Sequence, residues 1–180
     1  MKYADGPGTE VEAPIAAPPA RVWSFVSDIN VPASFSREFR RAEWIDDGPR
    51  LGATFRGFNR HDAVGEWNVV CTVTACESDQ TFEWTVGDVE NRSARWRFDL
   101  EPDGHGTRLR FSAEMGPGPS GLTPAIARMP EREDDIVARR LAEWTDSMQR
   151  TVAGIAALAE AEPEVGRGGA GDVGPGAAPS

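Results

Sequence analysis

Between residues 41 and 115 the chain places large apolar side chains at every second position, run after run, with turn residues between the runs. In "GATFRGFNR" Ala53, Phe55, Gly57 and Asn59 share one face. In "GEWNVVCTVTACE" Trp67, Val69, Cys71, Val73 and Ala75 do the same. "QTFEWTVGD" groups Phe82, Trp84 and Val86, and "SARWRFDLEP" groups Ala94, Trp96, Phe98 and Leu100. "GTRLRFSAEM" groups Leu109, Phe111, Ala113 and Met115, while the shorter "RAEWIDD" precedes them all. A period of two is the mark of a strand with one buried and one wet face. Short turns between such strands make antiparallel neighbours. Six strands in a row therefore form a meander whose apolar face must be covered by something else.

Little else is available to cover it. From about Glu131 to Glu160, Val137, Leu141, Trp144, Met148, Val152, Ile155 and Ala159 recur at three-to-four spacing, the stripe of one long amphipathic helix. Ahead of the meander, "TEVEAPIA" (9–16) reads as a seventh strand. "PPARVWSFVSDI" (18–29) then opens a helix on its prolines. "NVPASFSREFRR" restarts after Pro32 as a second short helix, with Ser34 or Ser36 able to cap it. The expected fold class is α+β: a seven-stranded antiparallel sheet wrapped around a long C-terminal helix, with two short helices after the first strand. A curved sheet that grips one helix leaves space between the two.

Composition narrows the partners. The 180 residues suit one domain, set as 9–160 between a flexible N-terminus (1–8) and a Gly/Pro/Ala tail (161–180) with nothing to bury. Six Trp and eight Phe within a 39% hydrophobic composition mean that bulky side chains supply the burial. The net charge of −10 opposes nucleic acid as a partner, because phosphate binding needs a basic face. The N-terminus lacks a signal-like apolar run, and the longest apolar run, "VAGIAALA" at 152–159, falls well short of the ~20 residues a bilayer crossing needs. A cytoplasmic protein without stable membrane insertion is expected, and a homodimer is compatible with it. Cys71 and Cys76, five apart in one strand, fall on opposite faces and read as ordinary thiols, neither a disulfide nor a metal pair.

The order of elements, together with "IAAPPARVWSFVSDI" and the glycine turn at 51–53, resembles the START-like (SRPBCC, Bet v 1-like) helix-grip superfamily. It is most similar to the branch of polyketide cyclase/dehydrase and lipid transport proteins. There a strand ending in Ala-Pro leads into a helix of the form Pro-x-x-Val-Trp-x-x-x-x-Asp, which Ala17, Pro18, Val22, Trp23 and Asp28 fit. "LEPDGHGTRLRF" (100–111) resembles the penultimate hairpin of that branch. The likeness spans roughly 9–160. It implies a cavity between sheet and long helix, with its mouth near the hairpin of the third and fourth strands, the turn at 87–93 and the loop "GPGPSGLTP". No cofactor is expected.

The hairpin "GFNRHDAVGEW" (57–67) holds Asn59, His61, Asp62 and Glu66. Adjacent extended residues point opposite ways, so Asp62 cannot orient His61 as a general-base pair. No nucleophile elbow accompanies them, and His105 lies apart in "DGHG", so no metal is expected. The hairpin is either a solvated tip or a ligand-facing rim. On the rim reading, Phe55, Asn59, His61 and Trp67 face the cavity with Trp84 and Trp96 behind them. Arg95, Arg97, Arg108 and Arg110 alternate onto the wet face, where Glu83 and Glu114 can pair with them. Cyclases of this branch hold and enolise a poly-β-keto chain with polar residues, often Arg or Tyr. Here Arg56 alternates outward and the lone tyrosine, Tyr3, precedes the fold. Three functions stay open: binding of a small hydrophobic, aromatic or polyketide-like molecule; a cyclase or dehydratase working on it by acid–base chemistry; and a non-catalytic protein-partner module. Catalytic residues are not assigned.

Truncation after residue 162 removes only the Gly/Pro/Ala segment, so the urea midpoint of the shortened chain should match that of the full chain. A clear loss of stability would mean that the tail contributes to the fold.

Overall fold

The alternating runs become seven strands in a computed structural model that describes residues 1–62 and 65–161. They are β1 (Gly8–Ile15), β2 (Phe39–Trp44), β3 (Thr54–His61), β4 (Gly65–Glu77), β5 (Thr81–Val86), β6 (Ala94–Asp103) and β7 (Gly106–Met115). Every neighbouring pair is antiparallel, and the sheet order is β1-β7-β6-β5-β4-β3-β2. The helices are α1 (Pro19–Val26), α2 (Thr123–Arg128) and α3 (Glu133–Glu160). This is the expected helix-grip arrangement, an open sheet around one long helix. The expected tail beyond residue 161 lies outside the described residues.

The helix does not sit centrally. It packs on β1 and, more lightly, on β7, with α1 beside it, and makes no comparable approach to β2–β5. The main core therefore gathers at one flank. Val22 and Val26 of α1, Phe98, Leu100, Leu109 and Phe111 of β6 and β7, and Met148, Val152 and Ile155 of α3 are all buried together. Phe98 and Phe111 stack with ring centroids 4.0 Å apart. A second cluster, Ile29, Ala42, Ala53, Phe55, Cys71, Val73 and Phe82, lines the concave face of β2–β5.

Two features tie the free flank down. The Phe35 ring fills a notch over Gly154 of α3, where an added Cβ would lie 2.3 Å from it, so a larger residue there would have to push the ring aside. At the outer edge of β2, Asn30 Nδ2 donates to Ala42 O at 3.1 Å and Ala42 N donates to Asn30 Oδ1 at 2.8 Å. One side-chain amide thus stands in for a neighbouring strand.

Four expectations need correction. The second short helix is a single 3-10 turn, Val31–Ser34. Ser36 caps no helix there; its Oγ accepts from Glu38 N and Phe39 N at 3.1 and 2.9 Å, turning the chain into β2. The loop after β7 carries an unforeseen helix, α2. The N-terminus, expected to be flexible, forms a 3-10 turn at Tyr3–Asp5. Tyr3 lies within the fold: its hydroxyl donates to Gly118 O at 2.8 Å and to Ser93 O at 3.3 Å, and its N–H donates to Glu133 Oε1 at 2.9 Å. Cys71 and Cys76 share the concave face. A bulge between Val73 and Ala75 inserts one residue, so Cys76 pairs with Phe82 just as Cys71 pairs with Val86. The same bulge turns Ala75 outward, opposite Glu83. Both cysteines are free thiols.

Because Phe98 is fully buried and Trp144 is not, the two substitutions should differ. Phe98→Ala should cost about 3–5 kcal/mol as a large core deletion. Trp144→Ala should cost clearly less, because part of its indole already borders open space. Urea midpoints of the two variants decide it; equal losses would contradict the off-centre core.

Candidate functional site

The concave face that α3 leaves uncovered borders a cavity of about 750 Å³. Its wall follows from the period-two pattern, which sends the largest side chains of β3–β6 inward. Trp84 and Trp96, opposite each other on β5 and β6, lie within 10° of parallel with centroids 6.4 Å apart. Trp96 meets Trp144 of α3 at 4.8 Å, and Phe55 meets Trp84 edge-on at 6.3 Å. None of the six tryptophans is fully buried, although all but Trp67 pack against the buried core. Rings that would close a filled core here edge an open one. A filled core, the form expected of a partner-binding module, is not what the described residues make.

All six residues singled out from the sequence border this cavity: Phe55, Asn59, His61, Trp67, Trp84 and Trp96. Asn59 stands opposite Trp67 across the β3–β4 ladder, half-buried, and its amide has no hydrogen-bond partner among the described residues. His61, next along that face, pairs with Gly65 in the ladder and is itself engaged. Arg56 points outward and donates to Asn68 Oδ1 at 2.8 Å. Ser93 and the loop from Pro119 to Leu122 also border the cavity, as does Tyr3.

The third side of the rim was not foreseen. Glu38, at the entry to β2, accepts two hydrogen bonds from Arg140 of α3: Nη1 to Oε2 at 2.7 Å and Nη2 to Oε1 at 2.6 Å. Arg140 Nη1 also reaches Glu143 Oε2 at 3.2 Å. Burial works against the Arg140 charge, but Glu38 and then Glu143 outweigh it and hold the guanidinium above its usual pKa. Below this clasp, Ser36 Oγ and Ser147 Oγ are 3.4 Å apart, and Arg150 Nε donates to Phe35 O at 3.2 Å. One signal for Arg140 was present in the sequence: it falls three after Val137 and four before Trp144, a charge on the apolar stripe.

The convex face behaves as alternation implies. Arg97 is held by Asp99 and Glu83, Arg95 by Glu114 and Glu83, and Arg108 and Arg110 approach Glu12. These arginines are committed away from the cavity. Among the described residues no group of three or more His, Cys, Asp or Glu is placed to hold a metal ion, and no helix is long and apolar enough to cross a membrane.

Comparison with known proteins follows this geometry. Residues 8–160 match the model of a family described as polyketide cyclase / dehydrase and lipid transport. The solution structure of a polyketide-cyclase-like protein of Corynebacterium glutamicum is 28% identical, covers 89% of this chain and 93% of its own, and superposes with a TM-score of 0.61. The Zhui aromatase/cyclase of Streptomyces sp. R1128 shares the fold at 13% identity, with coverages of 86% and 93% and a TM-score of 0.61. The di-domain ARO/CYC BexL of the BE-7585A biosynthetic pathway shares it over half its length: 14% identity, 87% of this chain, 50% of that chain, TM-score 0.56. No curated protein sequence matches the chain.

Burial pushes the Cys71 thiol up to about 12 and raises that of the less buried Cys76 as well. A raised pKa means little thiolate, and the thiolate is the reactive form. At pH 8 iodoacetamide should therefore modify Cys76 well before Cys71, as read by peptide mass spectrometry. Equal rates would mean that water reaches the cavity floor freely.

Proposed function

The chain belongs to the polyketide cyclase / dehydrase and lipid transport family, and from that premise we propose that it binds a small, largely apolar, aromatic or polyketide-like molecule between the sheet and α3. The observation that carries this reading is the cavity of about 750 Å³, walled by stacked and edge-on aromatics with few polar groups. That size lies within the roughly 300–1,000 Å³ typical of small-molecule pockets, which are mostly apolar with a few placed polar groups. A flat ring system can lie against the cavity-facing sides of Trp84, Trp96 and Trp144 by offset stacking. The Asn59 amide, which borders the cavity and has no hydrogen-bond partner among the described residues, then meets a ligand oxygen.

A second reading is a cyclase or dehydratase acting on such a molecule. Ionisable groups at the cavity rim, Glu38 and Arg140, favour it, and the aromatase/cyclase name of a protein with the same fold is compatible with it. The two readings part on product. A carrier returns its ligand unchanged, whereas a dehydratase or a cyclising aromatase returns one lighter by water, and extraction followed by mass spectrometry tells them apart.

Flavone, a planar aromatic ketone, serves as the probe for binding. It should quench tryptophan fluorescence saturably at one molecule per chain. Asn59→Ala should weaken binding by about 1–3 kcal/mol through loss of one hydrogen bond, with the urea midpoint unchanged. Trp67→Ala should weaken it further by removing a wall, and Val69→Trp should abolish it by filling the space. Flavone binding that survives Val69→Trp unaltered would place the ligand elsewhere.

A further inference from the structure

The rim of the cavity carries charge, yet its half-buried cation, Arg140, is already taken by carboxylates of the chain itself. Arg140 is held in a two-point fork by Glu38 and reached again by Glu143. Arg139, the other guanidinium on the rim, donates Nε to Glu143 Oε1 at 3.2 Å and is otherwise turned to solvent, its side chain 80% exposed, so it does not follow a ligand into the aromatic-walled space. Among the described residues, the charged side chains bordering the cavity are the carboxylates Asp28, Glu38 and Glu143 and the guanidinium groups Arg139 and Arg140. Carboxylates outnumber cations, and each cation already has a carboxylate of the chain's own. His61 is engaged as well, and the Tyr3 hydroxyl donates to two backbone carbonyls.

An incoming carboxylate or sulfonate would shed water into an aromatic-walled space and find the half-buried cation beside it, Arg140, already forked by Glu38. A buried charge without a partner is strongly disfavoured, far more than a neutral polar group. The chain's net charge of −10 adds repulsion at longer range. A neutral oxygen meets no such cost, because the Asn59 amide offers donors and an acceptor that no described residue uses.

We infer that the cavity selects uncharged ligands: it accepts an aromatic body bearing a carbonyl or hydroxyl oxygen and turns away the matching organic acid. Glu38 sets this selectivity by occupying the position on Arg140 that a ligand acid would take. The inference rests on the ligand-binding reading above and goes further by naming the class of molecule.

Two dyes with the same anilinonaphthalene body test it on the full chain at pH 8. N-phenyl-1-naphthylamine is neutral, and 1-anilinonaphthalene-8-sulfonate carries one negative charge. The neutral dye should bind one per chain and at least about tenfold more tightly than the sulfonate, since an unpaired buried charge is penalised. Glu38→Gln should raise the affinity ratio of sulfonate to neutral dye at least about tenfold by exposing Arg140. Glu143→Gln, which keeps the Glu38 fork, is a second variant expected to shift the ratio the same way but less. Its ratio, with that of the unmodified chain, decides the question should Glu38→Gln not fold. Sulfonate binding as tight as that of the neutral dye overturns the charge selectivity while leaving the cavity reading standing. A ratio unmoved in both variants removes the assignment to Glu38. Binding of neither dye overturns the cavity reading and this inference with it.

Discussion

One mismatch of size governs this molecule. An α-helix with its side chains is about 10–12 Å across, whereas seven strands roughly 4.8 Å apart span about 30 Å. A single helix cannot cover such a sheet. Here α3 settles on β1 and β7, where Phe98, Phe111, Met148 and Ile155 are buried together, and the remaining concave surface is left to its own aromatics. Tryptophans are long enough to reach across that surface and too few to fill it. The cavity is thus the unfilled remainder of an otherwise ordinary two-layer packing problem.

This division separates stability from recognition. The flank held by α3 and α1 carries the dense core, while β2–β5 carry the cavity wall and make no close approach to the helix. Residues such as Val69, Asn59 and Trp67 can therefore change in shape or polarity with little effect on the packing at Phe98. The two flanks meet through the segment 35–38, which runs along α3 from the Phe35 notch at Gly154 to the Glu38–Arg140 fork. That segment is the seam of the structure.

The strands, their inward faces and the long helix could be read from the sequence because each is a local periodicity, visible within about ten residues. The six cavity-facing residues followed from the same count. What escaped was nonlocal or depended on one inserted residue. Glu38 and Arg140 are 102 positions apart, and nothing near either one announces the other, although Arg140 interrupts an apolar stripe. The bulge at Val73–Ala75 leaves no mark on the alternation before it, yet it moves Cys76 to the other face. Tyr3 lies ahead of the first strand, and the segments at Ser93 and Gly118, brought alongside by the tertiary fold, give its hydroxyl its partners.

The amide of Asn30 has a consequence beyond local hydrogen bonding. An open sheet has two borders, and a border with unpaired backbone groups is a template on which another chain can grow. Along β2 the groups of Ala42 that face outward are both taken by Asn30, and at the opposite border α3 lies against β1. A second copy arriving at Ala42 finds its hydrogen-bonding slot occupied. Extension of the sheet past Ala42 is thereby obstructed, a local guard against the edge-to-edge pairing that an open, aromatic-rich sheet invites.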